Sequence, residues 1–205
     1  MKLYTSLGPN PRFVRMFLLE KGVELPQEQV DIIAGQNRLA PFLAINPTGT
    51  TPVLILDNGV AISETVAICE YIEEFYPQHA LIGSTAEERA ATRMLTRRIE
   101  HAVVQPMTAG FRAAEGFELF KDRVRCLPKV AEELKLTAAE GLAFTNQQLS
   151  DKIFLAGNRL TMADLLLFAF IEFGGLVGQG LDPANTHLVK WRERVASRPS
   201  ALATA

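Results

Sequence analysis

The sequence has few cysteines and no strong charge of either sign. Of its 205 residues only two are cysteine, Cys69 and Cys126. They lie far apart, without a CxxC pair or the spacing of a metal site, so we expect neither a disulfide framework nor a cysteine-based metal site. The formal net charge of -2 gives no basic surface, and we expect no nucleic-acid partner.

Long apolar runs are missing as well. The longest one, residues 165–173, is too short to span a bilayer and is interrupted by Glu172. The N-terminus contains no extended apolar region of the signal-peptide kind. We therefore expect a cytoplasmic protein with no membrane partner. Its hydrophobic residues, 48% of the chain, are ordinary for a buried core.

The first 76 residues carry short apolar runs that alternate with helical patterns. Strands are predicted at residues 2–5, 27–33, 53–56 and 60–62. Asp57-Asn58-Gly59 is typical of a hairpin turn between the last two strands. Helices are predicted at residues 11–21, briefly around Phe42, and from a Ser63 cap to residue 75. This order of elements predicts an α/β domain.

From residue 86 onward we find only helical patterns. Helices are predicted at about residues 86–114, 118–149, 161–175 and 184–197. Thr161 and Asp164 fit the T-x-x-D capping box, which we interpret as a folding element. We therefore divide the chain into an α/β domain at residues 1–76, a linker at 77–86 and an all-helical domain at 87–205.

Thr51 and Pro52 precede a predicted strand, where proline is unusual because it donates no ladder hydrogen bond. A cis peptide bond here would turn the chain and leave the N–H and C=O of Thr51 open to a peptide-like ligand. The alternative is a trans proline at the strand edge, which has only a structural meaning and is the commoner case for an isolated X-Pro pair.

Ser63, Glu64 and Thr65 open the last helix of the α/β domain. An acidic residue in a first helical turn is common because it complements the helix dipole. The same group can hold a zwitterion, because Glu64 would take an ammonium group while Thr65 and its N–H would take a carboxylate. Taken alone, the plain helix cap is the simpler interpretation.

The loop from Ser6 to Asn10 joins the first strand to the first helix. A donor beside a helix N-terminus can stabilise a thiolate and so lower the pKa of a thiol. Ser6 and Asn10 are the candidate donors. The structural alternative is a Gly-Pro-Asn turn with Asn10 as the helix cap.

These features, in this order and spacing, resemble the glutathione transferase superfamily. The resemblance rests on PNPRFVR, INPTGTTPVL, ISETVAICEYIEE and LAGNRLTMADL, and it extends over nearly the whole chain. It implies a thioredoxin-like N-terminal domain, an all-helical C-terminal domain, a homodimer, and glutathione as co-substrate without a metal. The implied activity is attack of the glutathione thiolate on a hydrophobic electrophile.

The resemblance also implies roles for single residues. Thr51 would pair its backbone with the cysteinyl part of glutathione, next to a cis Pro52. Glu64 and Thr65 would bind the γ-glutamyl end, and Asn37 would lie near the glycine carboxylate. Apolar residues of the helical domain would line the electrophile pocket, with Met107, Phe111 and Phe117 as candidates.

The thiol-activating position departs from the family pattern. Gly8 stands where relatives with an S-P-N-P-R loop carry a serine, so a direct hydroxyl is missing. Asn10 is therefore the first candidate for thiol activation and Ser6 the second, with inward packing of the Ser6 side chain as an alternative. Two other functions stay open: a non-catalytic glutathione-binding or regulatory protein, and a glutathione-dependent peroxidase or isomerase.

Overall fold

A four-stranded mixed sheet organises the first part of the chain in the computed structural model, which describes residues 1–205. Its strands are β1 (Lys2–Thr5), β2 (Gln27–Gln29), β3 (Val53–Ile55) and β4 (Ala61–Ile62). Their order across the sheet is β2-β1-β3-β4. β1 is parallel to β2 and antiparallel to β3, and β3 is antiparallel to β4. β1 and β4 therefore run in the same direction.

Three helices accompany this sheet: α1 (Pro9–Lys21), α2 (Ala40–Ile45) and α3 (Thr65–Phe75). α1 and α3 pack against each other. Completely buried side chains of β1, α1 and α3 include Leu3, Phe13, Phe17, Ile68 and Ile72. Because α1 and α3 each follow a strand of the same direction, their first turns lie at the same end of the sheet.

β2 is shorter than predicted. We expected a strand at residues 27–33, but it ends at Gln29, so the prediction is wrong beyond that residue. All three residues of β2 are exposed at the sheet edge. One further hydrogen bond, from the Val30 N–H to the Thr5 carbonyl at 2.8 Å, ends the pairing. Ile32 and Ile33 then lie in a turn, although they are apolar and β-branched.

The remaining chain is helical, as predicted. The helices are α4 (Ala86–Ile99), α5 (Gln105–Ala113), α6 (Phe117–Phe120), α7 (Ala131–Gln148), α8 (Met162–Leu176), α9 (Thr186–Ala196) and α10 (Pro199–Ala203). The prediction of one continuous helix at residues 118–149 is wrong, because Pro128 opens a separate 3-10 turn before α7. No helix is both long enough and apolar enough to cross a membrane.

The first turn of α8 is closed by the predicted capping box. The N–H and the hydroxyl of Thr161 donate to Oδ2 of Asp164 at 2.9 and 2.7 Å. Oδ1 of Asp164 accepts from the Leu155 N–H and from Nε1 of Trp191, both at 2.9 Å. Thr161 and Asp164 are completely buried. The interpretation of this motif as a folding element is confirmed.

The chain divides into two compact units. One comprises Met1–Ile82 together with Pro199–Ala205, and the other comprises Gly83–Arg198. In the first unit, α10 packs against α1, and Nη2 of Arg12 donates to the Ala201 carbonyl at 3.3 Å. The predicted fold class, an α/β thioredoxin-like domain followed by an all-helical one, is confirmed. The exact domain boundaries that we assigned stay predictions.

Candidate functional site

Three segments of the N-terminal unit converge at one end of the sheet: the β1–α1 loop, the chain before β3, and the start of α3. β3 pairs with β4 through Leu54 opposite Ile62 and Ile55 opposite Ala61, so the chain before β3 and the chain after β4 leave the sheet at the same end. The Ser6 hydroxyl lies 2.5 Å from the Thr51 hydroxyl, which brings the β1–α1 loop to the same place. The sheet and its helices therefore gather most of the residues that sequence reasoning selected.

The Thr51–Pro52 peptide bond is cis, the conformation that the family resemblance implied. The pairing of β3 with β1 begins only at Val53. The backbone N–H and C=O of Thr51 make no hydrogen bond within the chain. These groups are the donor and acceptor that an extended peptide ligand needs. The contact of Thr51 and Pro52 with glutathione stays a prediction.

α3 begins without a side-chain cap. Its cap position is Glu64, which is exposed and has a φ of 70°. The predicted Ser63 cap is therefore wrong, because the left-handed backbone at Glu64 moves the helix start by one residue. The N–H groups of Thr65, Val66 and Ala67 have no acceptor within the chain. Together with the positive end of the helix dipole, they form an anion-binding first turn.

α1 begins with fewer N–H donors than α3. Its cap is Gly8, whose φ of 111° is a conformation that favours glycine. Pro9 and Pro11 have no N–H, so Asn10 carries the one backbone donor among the first three helical residues. The Asn10 side chain is partly exposed and makes no hydrogen bond within the chain. Its amide and its N–H are the donors that this end of the helix offers.

Ser6 faces into the fold. It is 2% exposed, and its hydroxyl donates to the Leu7 carbonyl at 3.1 Å in addition to its contact with Thr51. Because both partners are part of the chain, the contacts of this hydroxyl hold the Thr51 loop against the end of β1. A role of Ser6 in thiol activation stays a prediction.

Asn37 and Arg38 both contact the loop that leads to Thr51. Asn37 is 6% exposed, and its Nδ2 donates to the Gly49 carbonyl at 2.6 Å. Sequence reasoning missed Arg38, whose Nη1 donates to the Thr48 carbonyl at 3.3 Å and would lie 2.9 Å from a Cβ at Gly49. A signal was present, since Arg38 is the lone lysine or arginine between residues 22 and 80. A guanidinium suits a carboxylate ligand.

Two family models match this chain. The N-terminal domain of glutathione S-transferase matches residues 8–74, and its C-terminal domain matches residues 119–199. Glutathione S-transferase 2 of Saccharomyces cerevisiae is 30% identical over 203 residues, which cover 96% of this chain and 85% of that protein. This chain belongs to the glutathione S-transferase family.

Further comparisons describe the breadth of that family. A glutathione S-transferase domain-containing protein of Marinobacter aquaeolei VT8 is 35% identical and has a TM-score of 0.92, covering 98% of this chain and 100% of that one. Maleylacetoacetate isomerase of Pseudomonas aeruginosa is 30% identical over 185 residues, which cover 89% of this chain and 85% of that protein. The resemblance is confirmed, and glutathione is the co-substrate of the glutathione S-transferase family.

In this member of the family, the residues predicted for the electrophile pocket lie in the helical unit. Met107 is completely buried. Phe111 and Phe117 are partly exposed. The Phe111 ring lies edge-on to Phe120 at 5.9 Å and to Phe173 at 5.0 Å between centroids. Phe111, Phe120 and Phe173 form an aromatic cluster. The contact of Met107, Phe111 and Phe117 with an electrophile stays a prediction.

Neither cysteine of this chain offers a reactive thiol at the start of α3. Cys69 lies on α3 but is completely buried, and burial, reinforced by Glu73 and Glu70, raises the pKa of its thiol well above the ordinary value. Cys126 lies in the helical unit and is partly exposed. No group of three or more His, Cys, Asp or Glu side chains that could hold a metal ion is present.

Proposed function

We propose that this protein is a glutathione transferase whose N-terminal unit binds glutathione and activates its thiol for attack on a hydrophobic electrophile. The observation that carries the proposal is the uncapped first turn of α3 beside the unpaired backbone of Thr51. Glutathione combines a zwitterionic γ-glutamyl end with a peptide backbone, and these two protein features complement those two parts.

Each part of glutathione has a partner in this proposal. The Thr51 backbone pairs with the cysteinyl unit. Glu64 accepts from the γ-glutamyl ammonium, and the N–H and hydroxyl of Thr65 donate to the neighbouring carboxylate. We assign the glycine carboxylate to Arg38, because a guanidinium can bind it with two hydrogen bonds. Asn37, whose side-chain amide is bonded to the loop, supports Arg38 from the preceding position.

Asn10 is the proposed thiol-activating residue. An ordinary thiol has a pKa of about 8.5, and lowering it to about 6.5 requires about 2.7 kcal/mol of preferential stabilisation of the thiolate. Asn10 supplies an amide donor and a backbone N–H at the positive end of α1. Gly8 has no hydroxyl to add, and we expect Ser6 to act through its contact with Thr51.

A second candidate function is glutathione-dependent isomerisation at the same site. The identity of 30% with maleylacetoacetate isomerase supports it, because that relative aligns over nearly the same length. In that reaction the thiolate would add to a double bond and leave again after rotation, so glutathione would be regenerated. In conjugation, the new carbon–sulfur bond persists while a leaving group departs with its electron pair.

We also propose that the protein is a homodimer. Tyr71 and Phe75 stack at 5.9 Å between centroids on α3, and Tyr76 lies edge-on to Phe75 at 5.0 Å. Phe75 is nonetheless 57% exposed. An exposed aromatic cluster of this kind supports burial against a second subunit. Sedimentation of the purified protein measures this, and a monomer at all concentrations would contradict it.

The proposed function is tested by three measurements on the wild type. Calorimetric titration measures glutathione binding, the rate of product formation with a generic aryl halide measures conjugation, and the rate of isomerisation of a cis-alkene substrate measures isomerase activity. A transferase binds glutathione and accelerates the conjugation. An isomerase binds glutathione but turns over a cis-alkene substrate in preference to the aryl halide. Binding without either turnover supports the regulatory alternative, and absence of binding contradicts all three.

A further inference from the structure

The last turns of α1 and α3 are joined by a buried ion pair. Nζ of Lys21 lies 2.7 Å from Oε2 of Glu73, and the two side chains are 0% and 1% exposed. Lys21 is the final residue of α1, and Glu73 lies in the last turn of α3. This contact therefore joins the far ends of the two helices whose first turns form the candidate site.

The same ion pair holds the segment that follows α3. Lys21 also donates to the carbonyls of Gln78 and His79 at 2.8 and 3.3 Å. Glu73 also accepts from the N–H groups of Leu81 and Ile82 at 3.2 and 2.8 Å. Every donor of the ammonium and both oxygens of the carboxylate are used. The pair is therefore a closed polar network inside the N-terminal unit.

Unusual backbone conformations lie on both sides of α3. Glu64 and His79 are the two non-glycine residues of the chain with positive φ, at 70° and 52°. Such conformations persist where the surrounding contacts determine them. Glu64 is at the first turn of α3, in the candidate site. His79 follows the last turn, and its carbonyl is bonded to Lys21. The ion pair thus holds α3 at the end opposite to the site.

A buried ion pair contributes little net stability compared with apolar side chains of similar size, because removing two charges from water offsets their attraction. We propose that the main effect of this pair is geometric: Lys21 and Glu73 are positioning residues that set α1 relative to α3, and through them Asn10 relative to Glu64. This inference rests on the proposed function.

The principal variant, Lys21→Met with Glu73→Met, replaces the pair without leaving a lone buried charge. It is compared with the wild type and with the single variant Glu73→Gln, which leaves the Lys21 ammonium without a carboxylate partner. We expect both variants to weaken glutathione binding by about tenfold and to raise the pKa of the bound thiol, because displacing a binding group by about 1 Å has effects of this order or larger. Lys21→Arg keeps the positive charge, so this variant should bind glutathione more tightly than the double variant and Glu73→Gln, but less tightly than the wild type.

The matched control is Glu172→Gln, which removes the partly exposed ion pair of Glu172 with Arg192 in the helical unit, where Nε of Arg192 lies 2.6 Å from Oε1 of Glu172. It should leave glutathione affinity unchanged. Folding is checked by circular dichroism at the assay temperature, and the double variant Lys21→Met with Glu73→Met keeps the test valid if Glu73→Gln does not fold.

Wild-type binding is measured first, because its absence would refute the proposed function itself. If the wild type binds and the folded variants keep both its affinity and its thiol pKa, Lys21 and Glu73 are structural residues only. If the variants lose thermal stability but keep the wild-type affinity and thiol pKa, Lys21 and Glu73 are likewise structural residues only. Either result overturns the positioning role and leaves the proposed function intact.

Discussion

Helices α3 and α8 begin with similar residues, a hydroxyl side chain and a carboxylate, but their first turns differ. At α8, the Asp164 carboxylate accepts four hydrogen bonds, and no part of Thr161 or Asp164 is exposed. At α3, no side chain caps the helix, Glu64 is exposed, and three N–H groups have no acceptor within the chain. The two helix starts carry similar polar groups, but the polar groups at α8 are hydrogen-bonded within the chain and the backbone N–H groups at α3 are not.

This difference separates a folding element from a binding element. A carboxylate that is buried with all of its acceptor positions filled stabilises the fold and has nothing left for a ligand. A first turn with open donors costs little when it faces water, and it becomes an anion site when a ligand replaces that water. Changes at α8 should therefore alter stability, and changes at α3 should alter binding.

The largest expected effect is at α8. Asp164→Ala would leave the N–H groups of Leu155, Thr161 and Trp191 buried without acceptors. We expect a loss of about 4 kcal/mol in the free energy of unfolding, because each orphaned donor carries a desolvation penalty. Urea unfolding measures this. A loss below about 1 kcal/mol would show that water or neighbouring groups replace the carboxylate.

At α3 we expect the reverse pattern. Glu64→Ala should weaken glutathione binding by about 10- to 100-fold, the value of one charge-assisted hydrogen bond, and change the unfolding free energy by less than about 0.5 kcal/mol. Calorimetric titration and urea unfolding measure the two quantities. Glu74→Ala, an exposed residue of the same helix, is the matched control and should change neither. If Glu64→Ala lowered the free energy of unfolding as much as Asp164→Ala does, the distinction between a folding element at α8 and a binding element at α3 would be contradicted.

The start of α1 provides the next smaller effect. Asn10→Ala should raise the pKa of bound glutathione by about one unit and slow conjugation up to about tenfold near neutral pH, since one pKa unit equals 1.36 kcal/mol. Its affinity for glutathione should stay within about twofold, because Glu64 and Thr51 are unchanged. Thiolate absorbance against pH measures the pKa.

Ser6→Ala is the comparison for this variant. Because the Ser6 hydroxyl contacts Leu7 and Thr51, its loss should lower stability and leave the thiol pKa near the wild-type value. If Ser6→Ala lost activity while Asn10→Ala kept the wild-type activity, Ser6 and not Asn10 would be the thiol-activating residue.

The smallest effect concerns Cys69 on α3. Burial raises the pKa of its thiol, so the folded protein keeps this proton at pH values where an exposed thiol loses it. A thiol reagent should therefore label Cys126 and leave Cys69 unmodified, in the wild type and in Glu64→Ala alike. Since the unfolded chain releases this proton first, stability should fall as the pH rises above the ordinary pKa of a thiol. Rapid labelling of Cys69 in Glu64→Ala would show that α3 had loosened.

Local patterns predicted the elements that local chemistry determines. β1, the hairpin after β3 and the α8 capping box follow from alternation, an Asn-Gly turn and T-x-x-D spacing. The start of α3 was missed, because the left-handed conformation of Glu64 depends on how β4 meets the helix and not on residue preference. Spacing likewise could not show that Asn37 turns inward to Gly49 while Arg38 lies along the loop.

Contacts between distant parts of the chain were beyond sequence reasoning. Residues 199–205 belong to the first compact unit, where α10 packs on α1, Arg12 bonds to Ala201 and Ser200 bonds to Glu20. The Lys21–Glu73 pair is similar, since two charges 52 positions apart give no local signal. Both contacts hold helices that carry residues of the candidate site. The sequence motifs predicted those residues, and the structure was needed to find the contacts that hold the helices.

The central claim is that the open first turn of α3 binds the γ-glutamyl end of glutathione. The most direct measurement is calorimetric titration of the wild type with glutathione and with cysteinylglycine, which lacks the γ-glutamyl group but keeps the thiol and the glycine carboxylate. We predict that glutathione binds and that cysteinylglycine binds about 100-fold more weakly, because the charge-assisted contacts of Glu64 and Thr65 are lost. Equal affinity for the two ligands would contradict the account.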